Sequence, residues 1–222
     1  MYDVITHEPL APQGGRARRA ETAPAHVKVG AEAGVLEGIH APEINLAIWQ
    51  RRLAAQLACE AVKLVVAGKG DVRLRGTVAQ LDDRLAGAMR EKGWPDAPCL
   101  RADVVALAAR FAATMASPDL SLRLEIVTGD GCRKFHADYV TARLISSYTG
   151  PGSEWLDNAA AQAMASGQPT KRADVRRLAL GEVALFKGRL WSQTPIIHRS
   201  PPIAWTGQRR LVLVINPAER GY

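Results

Sequence analysis

The segment Phe135-His136-Ala137-Asp138 sets a histidine and an aspartate two residues apart. On an extended strand that spacing turns both side chains to one face. An imidazole and a carboxylate sharing a face are natural ligands for a divalent cation, and a third ligand has to come from elsewhere in the chain. His198 is the other histidine of the strand-rich half, whereas His7, His26 and His40 lie in or near the N-terminal arm. Two histidines and a carboxylate on one side of an iron(II) ion form a facial triad, which leaves positions open for dioxygen and a co-substrate. If the strand from Cys132 runs unbroken, Cys132 shares the face of His136 and Asp138. As a fourth ligand it would close the site and suit zinc in a non-catalytic binding protein.

The elements that must position these residues show in the apolar periodicity. Leu120, Leu122, Leu124 and Ile126 alternate with Ser121, Arg123, Glu125 and Val127, a half-buried strand, and Thr128-Gly129-Asp130-Gly131 supplies a turn into a hairpin. Further strands are expected over residues 132–138, 141–148, 182–186, 189–191, 194–198 and 210–216. A loop at Gly150-Pro151-Gly152 and a polar linker at 167–174 separate them, with a short helical or irregular stretch at 155–165. Earlier in the chain, Leu46, Trp49, Leu53, Leu57, Ala61 and Leu64 recur at helical steps and predict one helix over 43–67. A second stripe, Val78, Leu81, Leu85 and Met89, stops at Gly93. A third, Val104, Leu107, Ala108, Phe111 and Met115, stops before Ser117-Pro118. Residues 1–30 mix Pro, Gly, Ala and Arg without periodicity and are expected to form a flexible arm.

Helices followed by many short strands predict an α+β chain whose sheet closes into a barrel or sandwich. The expected organisation is an arm at 1–30, a helical region at 31–118 and a β-barrel region carrying the metal site at 119–222, all in one compact unit. With 222 residues, 47% of them hydrophobic, the chain can bury a sizeable core. It has no apolar run of about 18 residues and no secretory leader, so a cytoplasmic location without membrane insertion is expected. Cys59, Cys99 and Cys132 are too scattered for a disulfide framework and are expected as free thiols, two of them buried. Trp155, Trp191 and Trp205 are expected in the core of the strand-rich half.

The net charge is +7, and from Ser121 onward 14 Lys and Arg face 8 Asp and Glu. That surplus suits an anionic substrate, a small molecule or a protein. Base-reading motifs are absent, so nucleic acid is not an expected partner. No Gly-x-Ser-x-Gly elbow or phosphate-binding loop occurs.

Residues 120–216 resemble the closing half of the iron(II)- and 2-oxoglutarate-dependent oxygenases. The resemblance rests on Gly181-Glu182-Val183-Ala184-Leu185-Phe186, then His198, then Gly207-Gln208-Arg209-Arg210-Leu211-Val212-Leu213. It implies a double-stranded β-helix of jelly-roll or cupin-like form packed with the N-terminal helices, and a metal held by His136, Asp138 and His198. It also implies an arginine, Arg209 or Arg210, for the far carboxylate of 2-oxoglutarate, and Tyr148, which opens YTGPGSEW, beside the cofactor. Strand alternation puts Arg209 with Leu211 and Leu213, and Arg210 with Val212 and Val214, leaving the choice open. Through TGDGCRKFHADYVTARLISSY, GPGSEWL and HRSPP, the chain also resembles a bacterial family known as a domain of unknown function. That second resemblance implies no activity; some members are encoded near genes of zinc homeostasis, which implies a link to metal handling.

Overall fold

The computed structural model describes residues 23–218, so the greater part of the expected arm, residues 1–22, lies outside the described residues. Its remainder is not an arm: Val27–Gly30 forms strand β1, paired in parallel with β2 at Leu46–Trp49. The predicted helix over 43–67 therefore splits into β2 and helix α1 at Ala55–Ala67. Leu46-Ala47-Ile48-Trp49 is apolar at every position, a pattern that a short buried strand and a helix share. Pairing with β1 and β8 (Val183–Lys187) decides for the strand.

A third early strand, β3 at Gly70–Thr77, also falls within the region expected to be helical. Asp71, Arg73 and Arg75 alternate with Val72 and Leu74 at the two-residue period of a half-buried strand, a run with only two apolar positions. Thr77 and Gln80 form a capping box that starts helix α2 at Val78–Glu91. Helix α3, Pro98–Met115, opens with proline in its first turn, where no amide donor is missed. Both match the predicted stripes.

The expected hairpin does not form. Strand β4, Asp119–Val127, pairs with β3 and with β10, Arg210–Pro217, rather than with the segment after the turn. Strand β5, Ala142–Thr149, lies on the other side of β10. The result is a seven-stranded sheet in the order β1-β2-β8-β5-β10-β4-β3. A smaller sheet holds β7 (Val175–Arg177), β6 (Glu154–Leu156) and β9 (Ile197–Arg199). Helix α4, Asn158–Ala165, follows β6 and is capped by Asp157, which accepts from Ala160 N. Residues 189–191 form a turn, not a strand.

The large sheet buries both faces. Leu122 and Leu124 of β4, Leu144 and Tyr148 of β5, and Leu211 and Leu213 of β10 pack with Leu64 of α1 and Leu107 and Phe111 of α3. Ile145, Phe186, Val212 and Val214 on the opposite face pack with Trp155 of β6 and Leu178. Each fully buried aliphatic chain of this kind contributes roughly 1.5–3 kcal/mol. Of the other tryptophans, Trp191 is partly buried and Trp205 is fully exposed at a loop tip with φ of 66°, against the core expectation. The three cysteines are free, and none is buried. Among the described residues, no helix is long and apolar enough to cross a membrane.

Two ion clusters tie these layers. On the helix face, Arg51 grips Asp103 through two bonds of 2.6 and 2.8 Å, and Tyr148 Oη donates to the same carboxylate at 2.6 Å. In the small sheet, buried Glu154 accepts from Arg199 Nε at 2.7 Å and from Arg177, joining β6 to both neighbours. Burial raises the Glu154 carboxyl, but the two guanidinium groups outweigh it and hold it below its ordinary 4.5.

Asp103→Leu leaves the Arg51 charge without its acid in the interior, with only the Gly181 carbonyl as an acceptor outside this cluster, and is expected to lower unfolding free energy by about 3 kcal/mol in chemical denaturation. Tyr148→Phe removes one hydrogen bond, for about 1 kcal/mol. Because the Glu154 pKa is depressed on folding, its contribution is present above pH 4.5 and is lost as pH falls through the lowered value. The denaturation midpoints of wild type and Glu154→Gln are therefore expected to differ most near neutrality and to converge in acid.

Candidate metal centre

Residues 132–138 are not a strand; they hold a turn followed by an isolated antiparallel bridge between His136 and His198. His136 N donates to His198 O at 3.0 Å, and His198 N donates to His136 O at 2.9 Å. This bridge extends the small sheet beyond β9 and sets the two imidazoles side by side, with ring centroids 4.8 Å apart. Asp138, two residues on, brings its carboxylate to both imidazoles, although the strand on which that spacing was read is not formed. One ligand atom from each of His136, Asp138 and His198 lies within 4.8 Å of the others, so the group can hold a metal ion.

The hydrogen bonds fix which nitrogens face the carboxylate. His136 Nδ1 lies 2.9 Å from Lys134 O, a pure acceptor, so Nδ1 carries the proton and Nε2 is left as a donor atom for a cation. His198 Nδ1 is directed in the same manner toward Ile196 O at 3.5 Å, and Phe186 packs against its ring. Both Nε2 atoms approach Asp138, at 3.5 Å to Oδ1 from His136 and 3.2 Å to Oδ2 from His198. Asp138 and His198 are buried while His136 is part-exposed, which gives the cluster a closed wall and an open one.

Sequence reasoning did not identify Arg143. It extends from β5, on the face that also carries Ile145 and Ser147, and donates from NH1 to Asp138 Oδ1 at 2.5 Å and from Nε to Asn216 Oδ1 at 2.8 Å. The signal was an arginine on the strand face of Ile145. Burial raises the Asp138 carboxyl; the contacts with His136 and His198 and the Arg143 charge more than offset it, so the group stays ionised. The Asp138 contact in turn lifts the His136 imidazole above its ordinary 6.5. Asp138 Oδ2 is buried and takes part in no hydrogen bond. A buried carboxylate with one imidazole nitrogen near each oxygen, His198 Nε2 at 3.2 Å from Oδ2 and His136 Nε2 at 3.5 Å from Oδ1, fits a divalent cation.

The remaining expected site residues part company. Arg210 is fully buried on the face shared with Val212 and Val214. Its Nε donates to Pro151 O at 2.6 Å, NH1 to Ser200 Oγ at 3.2 Å, and NH2 to Ser147 and Ser153 Oγ at 3.3 Å each. None of these partners is charged, and burial lowers the guanidinium to about 10. The Gly150-Pro151-Gly152 loop can lie this close because it lacks side chains at its flanks. A Cβ on Gly150 would stand 2.7 Å from Arg210 Cγ, and one on Gly152 would stand 2.1 Å from Leu178 O.

Arg209 turns to the opposite side and donates to Gly68 O at 2.6 Å, beyond the end of α1, so it does not share the face of the cluster. Tyr148 is also on the helix face, committed to Asp103, and does not adjoin the cluster as expected. Cys132 is exposed and outside the group of three, because the unbroken strand that would have given it their parity is a turn. His26 bonds Asn45 and Asn158, and His40 bonds Thr114 O.

Cobalt(II) titration followed by absorbance is expected to show at least tenfold weaker binding in His136→Ala and His198→Ala than in wild type, and no change in Cys132→Ser.

No curated protein matches the chain. Among solved structures, the chain is similar to a Pseudomonas putida prolyl-4-hydroxylase at 12% identity and a TM-score of 0.45, covering 85% of this chain and 98% of that one. A bsmA homolog from Methylobium petroleophilum gives 15% identity and 0.41, covering 83% and 91%. Full-length Neurospora crassa T7H gives 11% and 0.41, covering 84% and 79%. Likenesses of this degree carry no argument about chemistry, which rests on the side chains themselves. The family described as "Protein of unknown function (DUF1826)" matches residues 30–216, and the chain belongs to that family.

Proposed function

We propose that the chain is a metal-dependent oxygenase-like protein, in which His136, Asp138 and His198 hold iron(II) and Arg210 receives the far carboxylate of 2-oxoglutarate. The observation that carries the reading is the cluster itself: two imidazoles with Nε2 turned toward a buried, ionised carboxylate whose Oδ2 has no hydrogen bond. An iron(II) ion held there would supply the activation of dioxygen, with 2-oxoglutarate as the co-substrate that gives succinate and carbon dioxide. In this reading the large sheet and the small sheet, extended by the His136 bridge, are the two halves of a double-stranded β-helix.

The chain's own groups have separate tasks. His136 and His198 are held in one tautomer by carbonyls of their own segments. Arg143 occupies Asp138 Oδ1 and leaves Oδ2 to the cation. Arg210 is a buried guanidinium whose bonds go to neutral oxygens, so a carboxylate arriving beside it would meet a charge that no acid in contact offsets. Of the two candidate arginines, only Arg210 faces inward with Val212 and Val214. Zinc bound through Cys132 loses support, since that thiol lies outside the group.

The test is elemental analysis of protein purified without oxygen or affinity-tag nickel, followed by calorimetric titration with 2-oxoglutarate. Stoichiometric iron, 2-oxoglutarate binding that weakens about tenfold or more in Arg210→Met, and succinate formation with a substrate are expected. Zinc lost in both histidine variants, with no 2-oxoglutarate binding, would overturn the oxygenase reading in favour of a zinc-binding protein.

A further inference from the structure

Arg143 meets Asp138 differently from the way Arg51 meets Asp103. The Arg51 guanidinium takes both carboxylate oxygens, at 2.6 and 2.8 Å, the two-bond grip that best holds a fold together. Arg143 donates from one terminal nitrogen to one oxygen, Asp138 Oδ1, at 2.5 Å. Asn216 accounts for this end-on approach: its Oδ1 accepts from Arg143 Nε at 2.8 Å and holds the guanidinium from behind. Arg143 belongs to β5 and Asn216 to β10, adjacent strands of the large sheet, so two strands fix the guanidinium.

The contact alters what the cluster offers a cation. Asp138 is the one carboxylate of the three residues, and the other two present imidazole Nε2 atoms. In the tautomer that turns Nε2 to a cation, both imidazoles are neutral. The Arg143 charge matches the Asp138 charge, so the four side chains sum to zero before any cation enters. The Arg143 side chain is 21% exposed and that of Asp138 9%, and water screens the pair weakly. The guanidinium engages Oδ1, and Oδ2, 3.2 Å from His198 Nε2, is the oxygen left over. The cluster therefore presents two nitrogens and one oxygen, with no surplus negative charge.

Divalent cations respond unequally to such a set. Magnesium, calcium and manganese(II) draw their affinity from carboxylate and carbonyl oxygens, whereas iron(II), cobalt(II) and zinc are also well served by imidazole. Withholding a carboxylate oxygen weakens the first class more than the second.

We infer, given the metal reading proposed above, that Arg143 is a positioning residue for cation choice. Held end-on by Asn216, it confines Asp138 to one oxygen and turns the site against oxygen-seeking cations.

The experiment is a competition on the metal-free full chain, with cobalt(II) binding read by absorbance and manganese(II) added as the competitor. The quantity read is the ratio of manganese(II) to cobalt(II) affinity, in which a general weakening of the fold cancels. Arg143→Met is expected to raise that ratio about tenfold and Asn216→Ala about threefold, whereas Arg143→Lys, which keeps the charge and a donor, stays within about twofold of wild type. A salt bridge that only held the two sheets together would weaken both ions alike. An unchanged ratio in Arg143→Met and Asn216→Ala, with cobalt(II) bound by wild type, would therefore overturn the inference and leave the metal reading standing. Failure of wild type to bind cobalt(II) would overturn the metal reading and this inference with it. Should circular dichroism show Arg143→Met to be unfolded, the Asn216→Ala ratio decides.

Discussion

A carboxylate taken out of water must be met by hydrogen-bond donors or positive charge, and at Asp138 the groups that meet it come from three places in the fold. His136 belongs to the segment after the turn, His198 to the small sheet and Arg143 to the large one, where Asn216 of β10 steadies its other nitrogen. The ion cluster therefore pins the two sheets to each other at one point. The His136 bridge, the packing of Phe186 on His198 and the register of β5 against β10 all bear on where that carboxylate sits.

The protein buries guanidinium groups in contrasting ways. Arg51 has its own bidentate acid in Asp103, a closed arrangement that holds the helices to the sheet. Arg143 shares Asp138 with two histidines and bonds only Oδ1, leaving Oδ2 to the His198 side. Arg210 has only hydroxyls and a carbonyl. The first is spent on structure. The second and third keep polar capacity in the interior, where an unmatched charge is costly.

The three cluster residues were legible in the sequence by type and closeness, although the strand assumed to give them parity is not formed. The alternation of β10 sends Arg209 and Arg210 to opposite faces, though it could not say which face was inward. Longer amphipathic stripes, in α2, α3 and β4, were equally legible. What failed was the reading of short or mixed runs. β2 is apolar at every position and carries no period of its own, and β3 alternates strictly but over only two apolar residues, too short a run to stand out beside the helical stripes. Cys132 was placed by parity along a strand that ends before it begins, and Tyr148 by its neighbourhood in sequence rather than by its side of β5. Arg143 was overlooked because its meaning lies in Asp138 and Asn216, which no local pattern connects to it.

The strand order has a consequence for the birth of the molecule. Strand β10 is the last element of the described chain, yet it lies inside the large sheet with β5 on one side and β4 on the other. While residues 210–217 are still within the ribosome, β4 and β5 have emerged without the strand that joins them, and β1, β2 and β8 cannot be linked to β3 and β4. The nascent chain thus carries two unfinished half-sheets with open edges, and the assembly of the sheet, together with the Arg143–Asn216 contact behind the candidate metal cluster, must wait until β10 has emerged.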